Sequence, residues 1–107
     1  MIILDTDFLI DLTKGKTEAV KKLEGIANEA LAIASISLTE LYYGAFKQKQ
    51  HLEEEKFSDY EILAFKRQEA CLAARIRVGL EKGAGRIGIV DEMIAATAIA
   101  QNARVLT

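Results

Sequence analysis

Cysteine and histidine are almost absent from this chain, which contains one of each, Cys71 and His51. A single cysteine excludes an internal disulfide and makes a cytoplasmic location the default expectation. Cys71 sits among alanines in a predicted helix, so we interpret it as a small core residue. His51 lies in a charged stretch and is interpreted as a surface residue, not a catalytic base. No serine or cysteine has a credible partner base, which gives hydrolysis through a covalent intermediate little support.

Long hydrophobic runs and a strong charge of one sign are also missing. No apolar segment approaches a membrane span and no basic stretch precedes the apolar start, so we expect neither a membrane segment nor a secretory signal. The net charge of −2 does not mark the chain as a nucleic-acid binder. Half of the 107 residues are hydrophobic, which is enough for a core and predicts one domain over residues 1–107.

Basic residues are concentrated in one segment, residues 66–86, which carries a net charge of +4 against −6 for the rest of the chain. Its basic residues are Lys66, Arg67, Arg75, Arg77, Lys82 and Arg86. Taken alone, the segment is better explained as a solvated helix face. The alternative is a basic wall beside an acidic site, at which phosphates dock.

Short apolar runs alternate with helical patterns along the chain. We predict strands over residues 1–4, 31–36, 60–65 and 104–107, and helices over residues 6–13, 17–28, 37–49, 69–82 and 89–101. Residues 50–59 are predicted to be a short helix or a surface connection. This alternation indicates an α/β fold with a mainly parallel sheet. Right-handed crossovers then place strand ends and the following helix starts at one sheet edge, where ligands bind.

Residues 83–88 form the pattern Gly-Ala-Gly-Arg-Ile-Gly, which matches a dinucleotide-binding motif. The motif requires a preceding strand and an acidic residue about 20 positions later. Here a helix precedes the glycines and the chain ends too soon. We therefore interpret the segment as a turn between helices and rank nucleotide binding last among the possible functions.

Three acidic residues lie at predicted helix starts beside buried segments: Asp5, Glu40 and Asp91. For each of these acids, a structural role at the helix start is an alternative to a functional role. Asp5 can cap the first helix, Glu40 can complete a capping box over residues 37–40, and Asp91 suits a helix dipole. Asp91 also shares a predicted helix face with core residues, where an unpaired charge is costly.

A cation site requires that these three acids meet. Carboxylates that lie within a few Å repel, and their pKa values rise unless a cation neutralises them. Oxygen-only sites suit Mg²⁺ or Mn²⁺, which can activate water and stabilise the leaving oxygen in phosphodiester cleavage. Asp7, Asp11 and Glu92 are either supporting groups or plain surface acids, and for Asp11 we favour the surface.

The segments IILDTDFLIDL, ISLTELYYGA and IVDEMIAATA with the final RVLT resemble the PIN-domain nucleases, and among them the VapC-type toxins of toxin–antitoxin pairs. The resemblance covers nearly the whole chain in the family's order. It implies a three-layer sandwich with a mainly parallel sheet flanked by helices, and an endoribonuclease that depends on Mg²⁺ or Mn²⁺. By the family pattern, Asp5, Glu40 and Asp91 are the metal-binding and catalytic acids.

The resemblance also implies supporting residues and partners. Thr6 and Asp7 match the polar positions after the first acid, and Thr107 matches the hydroxyl residue that ends the next strand. An antitoxin protein is expected to cover the active site, and the chain is expected to form a homodimer. The expected RNA contacts are the basic side chains of Arg86, Arg77 and Lys82.

Two departures from the family pattern qualify this expectation. The family commonly has a fourth acidic or polar position and a further strand or tail after the strand that ends at Thr107, so we expect a C-terminally short fold with weaker metal binding and an exposed edge. The loop before Gly88 also lacks proline. The alternative function is therefore a catalytically inactive, truncated PIN-like module that binds a partner protein or RNA.

Overall fold

The computed structural model describes residues 1–52, 54–83 and 85–107, and of Glu54 the backbone alone. The strands are β1 (Ile2–Leu4), β2 (Leu31–Ala34), β3 (Glu61–Leu63) and β4 (Arg104–Leu106). The helices are α1 (Thr6–Thr13), α2 (Thr17–Gly25), α3 (Ser35–Lys47), α4 (Arg67–Lys82) and α5 (Ile89–Gln101), with a 3₁₀ turn at Glu54–Phe57. All strand pairs are parallel, which confirms the predicted α/β fold.

The central strands β1 and β2 are buried on both faces, as expected for parallel strands whose residues are continuously apolar, whereas the edge strands β3 and β4 are largely exposed. Successive residues of β1 and β2 point to opposite faces, so each strand contributes to two hydrophobic clusters. One cluster joins the sheet to α1, α2 and α3 through Ile2, Leu4, Ile33, Phe8, Leu9, Ala19 and Leu41. The other joins it to α5 through Ile3, Ala32, Ala34, Leu63, Ile94 and Ala98. Helices thus cover both faces, as the predicted three-layer sandwich requires.

The strand order is β3-β2-β1-β4, so the direction of winding reverses between β1 and β4. The chain moves outward from β1 through β2 to β3, then crosses the sheet to place β4 on the other side of β1. Open parallel sheets bind ligands at such a reversal, beside the carboxyl ends of the strands. The Asp5 N–H lies at this point and donates to the Leu106 carbonyl oxygen at 2.9 Å.

Helix α3 begins at Ser35, two positions earlier than predicted, because Ile36 packs as a helix residue and does not extend β2. Ala34 is the N-cap, with extended backbone angles. The predicted capping box over residues 37–40 is therefore wrong, and Glu40 lies in the second turn of the helix. A glutamate cap exists instead at α4, where Glu69 Oε1 accepts a hydrogen bond from the Lys66 N–H at 2.8 Å.

The structure also tests the predicted end of α2, the predicted burial of Cys71 and the predicted turn at the glycine-rich segment. Helix α2 ends at Gly25, short of the predicted residue 28. Cys71 is exposed on α4, so its interpretation as a core residue is wrong. The glycine-rich segment does connect two helices, α4 and α5, while its Ala84 lies outside the described residues. Within the described residues, no helix is both long enough and apolar enough to cross a membrane.

Candidate active site

Asp5 occupies the centre of the candidate site, directly after the buried strand β1. It is the N-cap of α1, and its Oδ1 accepts a hydrogen bond from the Thr6 N–H at 2.8 Å. Partial burial raises the pKa of Asp5 above its ordinary value, and the Thr6 hydrogen bond opposes this rise. The negative charges of Asp91 and Asp7 raise the pKa further. Burial and the two neighbouring carboxylates together outweigh the Thr6 hydrogen bond.

Asp91 reaches this site because of the direction of α5. Asn102 ends α5 in a left-handed conformation, and the chain then turns into β4. Since β4 runs parallel to β1, α5 must run back along the sheet and begin at the carboxyl edge. Asp91 lies in the first turn of α5, where its charge acts on Asp5. The topology thus brings two of the three predicted acids together.

The expected burial of Asp91 is wrong, since its side chain is exposed. The buried residues Ile94 and Ala98 lie further along α5, over the sheet. Ile89, the first residue of the helix, is 63% exposed, whereas Val90 packs against the sheet cluster, so Asp91 lies on the open side of the first turn. Asp91 therefore stays accessible to solvent and to a substrate while its helix remains anchored in the core.

Glu40 does not complete a three-ligand group with this pair among the described residues. It lines a cleft of about 520 Å³ between α1 and α3, together with Ile10, Lys14, Leu41 and His51 among others. It is not among the charged groups that act on Asp5. Across residues 1–52, 54–83 and 85–107, no three histidine, cysteine, aspartate or glutamate side chains are grouped closely enough to hold a metal ion.

The chemistry of the site nevertheless fits a hard divalent cation. Mg²⁺ keeps several water ligands and is often held by one or two carboxylates together with substrate phosphates. Asp5 and Asp91 supply two carboxylates, and burial together with the charges of Asp91 and Asp7 raises the pKa of Asp5, a cost that a cation would relieve. The residues present therefore suit an ion that needs a phosphate or a third carboxylate to complete its coordination.

Thr6 connects the starts of two helices beneath the site. Its hydroxyl donates to Ser37 Oγ at 3.0 Å, which joins α1 to α3. Ser37 is fully buried, and sequence reasoning missed this role because it assigned residues 37–40 to a capping box. Thr107 follows β4, whose Leu106 pairs with Leu4 of β1, so the register places Thr107 next to Asp5 at the same edge.

An ion pair between α4 and α5 is the main feature that the sequence analysis missed. Glu92 is only 3% exposed, whereas it was expected to be a supporting or surface acid. Arg77 Nη2 donates to Glu92 Oε1 at 2.7 Å, and the neighbouring carboxylate raises the pKa of Arg77. Glu92 precedes the buried Ala96 by one helical turn, and this spacing could have predicted that Glu92 is buried. Lys82 and Arg86 are exposed at the end of α4 and just before α5.

Comparison with known proteins identifies the family. The PIN domain family matches residues 2–107. The tRNA(fMet)-specific endonuclease VapC of Salmonella typhimurium is 31% identical over 110 residues, which cover 98% of this chain and 83% of that protein. Ribonuclease VapC2 of Rickettsia felis is 33% identical over 112 residues, with coverage of 98% and 84%.

The fold leads to the same family. The crystal structure of VapBC2 from Rickettsia felis, bound to a DNA fragment from their promoter, superposes with a TM-score of 0.83 at 32% identity. The match covers 100% of this chain and 87% of that chain. The chain therefore belongs to the PIN domain family and is related to its VapC ribonucleases.

Proposed function

We propose that this chain is a VapC-like endoribonuclease that depends on Mg²⁺ or Mn²⁺. One observation carries the proposal: the fold brings Asp91, in the first turn of α5, to the carboxyl edge at which Asp5 follows β1, at the point where the sheet reverses its winding. Two relatives above 30% identity are named as nucleases that act on RNA. An acidic site for a hard cation is the arrangement that phosphodiester hydrolysis by such a chain requires.

In this proposal, Asp5 and Asp91 would hold the ion, and Glu40, which is not grouped with them in the described residues, would have to approach them to serve as the third ligand. A bound divalent ion lowers the pKa of water and stabilises the leaving oxygen of the phosphodiester. Thr6 keeps the start of α1 against α3 through Ser37, and so maintains the position of Asp5 at the N-cap. The exposed Asp91 lies where it can contact both the ion and a phosphate.

The substrate is proposed to be RNA, with an antitoxin protein and a second copy of the chain as protein partners. The family resemblance supports both protein partners, and the VapBC2 complex of Rickettsia felis supports the antitoxin. Of the predicted RNA-contacting residues, Arg86 and Lys82 are exposed and have no carboxylate within 4 Å among the described residues. They are therefore available to phosphates, whereas Arg77 is engaged by Glu92.

Asp91→Asn tests the nuclease. Purified chain is incubated with a mixed pool of structured RNA in Mn²⁺, in Mg²⁺ and in EDTA. We expect cleavage in at least one ion and none in EDTA, and a loss of at least about 100-fold in Asp91→Asn, because an ion supplies several kcal/mol of transition-state stabilisation. The matched control is Asp11→Asn, since Asp11 pairs with Lys16 at 3.1 Å on the surface.

The same experiment distinguishes a second candidate, a catalytically inactive PIN-like module that binds a partner protein or RNA. The lack of a three-ligand group among the described residues favours this candidate. It predicts that the folded wild-type chain cleaves nothing in either ion. Equal activity of the wild-type chain and Asp91→Asn would instead trace the cleavage to a contaminant and contradict the nuclease proposal.

Arg86→Ala tests the proposed RNA contact. A lysine or arginine that binds phosphate contributes to affinity in a way that does not depend on sequence, and its loss reduces the salt dependence of binding. We expect weaker binding to all RNAs in the pool and a salt slope smaller by about 0.7 to 1. Binding is measured by fluorescence anisotropy in EDTA, with Lys22→Ala on α2 as the charge-matched control. An unchanged slope would remove Arg86 from the interface.

A further inference from the structure

The Arg77–Glu92 ion pair joins α4 to the first residues of α5. Arg77 Nε lies 3.1 Å from Glu92 Oε1 and 3.2 Å from Oε2, and Nη2 lies 2.7 Å from Oε1. Both carboxylate oxygens of Glu92 are therefore engaged. The two residues differ in exposure, since the side chain of Glu92 is 4% exposed and that of Arg77 is 53% exposed. The carboxylate is buried, and the guanidinium closes over it from the solvent side.

This geometry makes Arg77 unsuitable as an RNA contact. A buried carboxylate without a partner is strongly unfavourable, so Arg77 cannot leave Glu92 for a phosphate without a large cost. The guanidinium could still offer its remaining N–H groups to RNA while paired, but the added charge would be largely compensated by Glu92. If the Arg77–Glu92 pair contributes to function, it must do so by a route other than direct binding of RNA.

The position of Glu92 in the chain indicates that the pair acts on Asp91. Glu92 directly follows Asp91, and its N–H donates to the Gly88 carbonyl oxygen at 3.0 Å, which closes the turn that carries Asp91. Within this turn Val90 packs against the hydrophobic cluster on the sheet, whereas Ile89 is 63% exposed and Asp91 is exposed as well. Sheet packing therefore holds the turn through Val90 but not through Ile89 or Asp91. The ion pair to α4 adds a second attachment, through Glu92.

We infer that Arg77 and Glu92 are a positioning pair, which fixes the first turn of α5 so that Asp91 remains beside Asp5 and can share a cation with it. The inference rests on the proposed metal-dependent nuclease. Groups that orient a metal ligand through its surroundings typically change metal affinity or activity by about 10- to 100-fold when removed. Neither residue needs to contact the ion or the RNA.

The test compares Arg77→Ala with Arg75→Ala. Both variants remove one positive charge from the exposed surface of α4, but only Arg77 pairs with Glu92. Mn²⁺ binding is measured by calorimetry without RNA, and cleavage is then followed as a function of Mn²⁺ and RNA concentration. For Arg77→Ala we expect Mn²⁺ affinity to fall by about 10-fold, with kcat recovered at saturating Mn²⁺ and the KM for RNA unchanged. Arg75→Ala should bind Mn²⁺ as the wild-type chain does.

Arg77→Lys and Glu92→Gln keep the inference testable if Arg77→Ala fails to fold. Arg77→Lys retains the charge without the two-pronged geometry, so we expect an intermediate Mn²⁺ affinity. A lower melting temperature with unchanged Mn²⁺ affinity in these variants would make the pair purely structural and overturn the inference. A raised KM for RNA with unchanged Mn²⁺ affinity would restore Arg77 as an RNA contact. Absence of Mn²⁺ binding by the wild-type chain would instead contradict the proposed function itself.

Discussion

Asp5→Asn should abolish RNA cleavage and, in EDTA, make the folded chain more stable than the wild type. Asparagine has the size of aspartate and keeps an oxygen that can accept the Thr6 N–H, so the N-cap of α1 survives. It removes a charge that is partly buried and is repelled by Asp91 and Asp7. Because the site is partly exposed, we expect a gain of about 0.5 kcal/mol in the free energy of unfolding at neutral pH. Cleavage should fall by at least about 1,000-fold, since the central ligand is lost.

The gain depends on pH in a defined direction. The pKa of Asp5 is raised in the folded chain, so the folded state binds more protons than the unfolded state between the two pKa values. The free energy of unfolding of the wild type therefore falls as pH rises through this window, and it stays lower above the window. The free energy of unfolding of Asp5→Asn does not fall in this way, because asparagine does not titrate. The difference between the variant and the wild type should be largest at neutral pH and should vanish below the unfolded pKa of aspartate.

Mn²⁺ should reverse the order of stability. An ion that binds only the folded state stabilises it by about 2.7 kcal/mol at 100 times its dissociation constant. This exceeds the repulsion that Asp5→Asn relieves, so the wild type should become the more stable chain. Urea unfolding in EDTA and in Mn²⁺, at neutral pH and near pH 4, measures all of these differences. If Asp5→Asn is destabilised in EDTA and Mn²⁺ stabilises neither chain, Asp5 is a helix cap without a metal role.

Most of the fold could be predicted because its signals are local. The apolar runs in β1, β2 and β4 and the periodic apolar residues of α5 each indicate one kind of element. The start of α3 could not be predicted in this way, because Ile36 continues the apolar run of β2 but packs in a helix. The boundary there depends on tertiary packing, which overrides the local pattern.

In the candidate site, too, some positions could be predicted from local signals and topology, and others depend on tertiary packing. Asp5 could be placed at the carboxyl edge directly, because parallel strands and right-handed crossovers fix which ends of the elements share an edge, whereas the placement of Asp91 depends on the direction of α5, which leads into the last strand. Glu40 lies in the second turn of α3 and lines the cleft between α1 and α3, so the rule for strand ends alone does not bring it to Asp5. The Arg77–Glu92 pair could not be predicted from topology, because it depends on how two helices pack side by side.

Ile33→Ala should destabilise the fold more than substitutions at exposed apolar residues. Ile33 is completely buried in β2, between two neighbouring strands, and packs with Phe8, Leu9 and Leu41 from the covering helices. Truncation removes buried methyl groups and leaves a cavity that a rigid sheet cannot fill. We expect a loss of about 3 kcal/mol, a large part of the 5–15 kcal/mol typical of a domain. The melting temperature should fall by about 10–20 °C.

Ile62→Ala is the matched control, because Ile62 pairs with Ile33 in the adjacent strand β3. The two residues have the same chemistry and neighbouring positions in the ladder, but Ile62 is 42% exposed at the sheet edge. Its truncation should cost less than about 1 kcal/mol, because little buried volume is lost. Thermal unfolding of both variants measures the contrast. Equal losses would mean that β3 is covered in solution by a partner chain, since burial would then be similar at the two positions. A small loss at Ile33 alone would contradict the two-sided core on which the position of Asp5 depends.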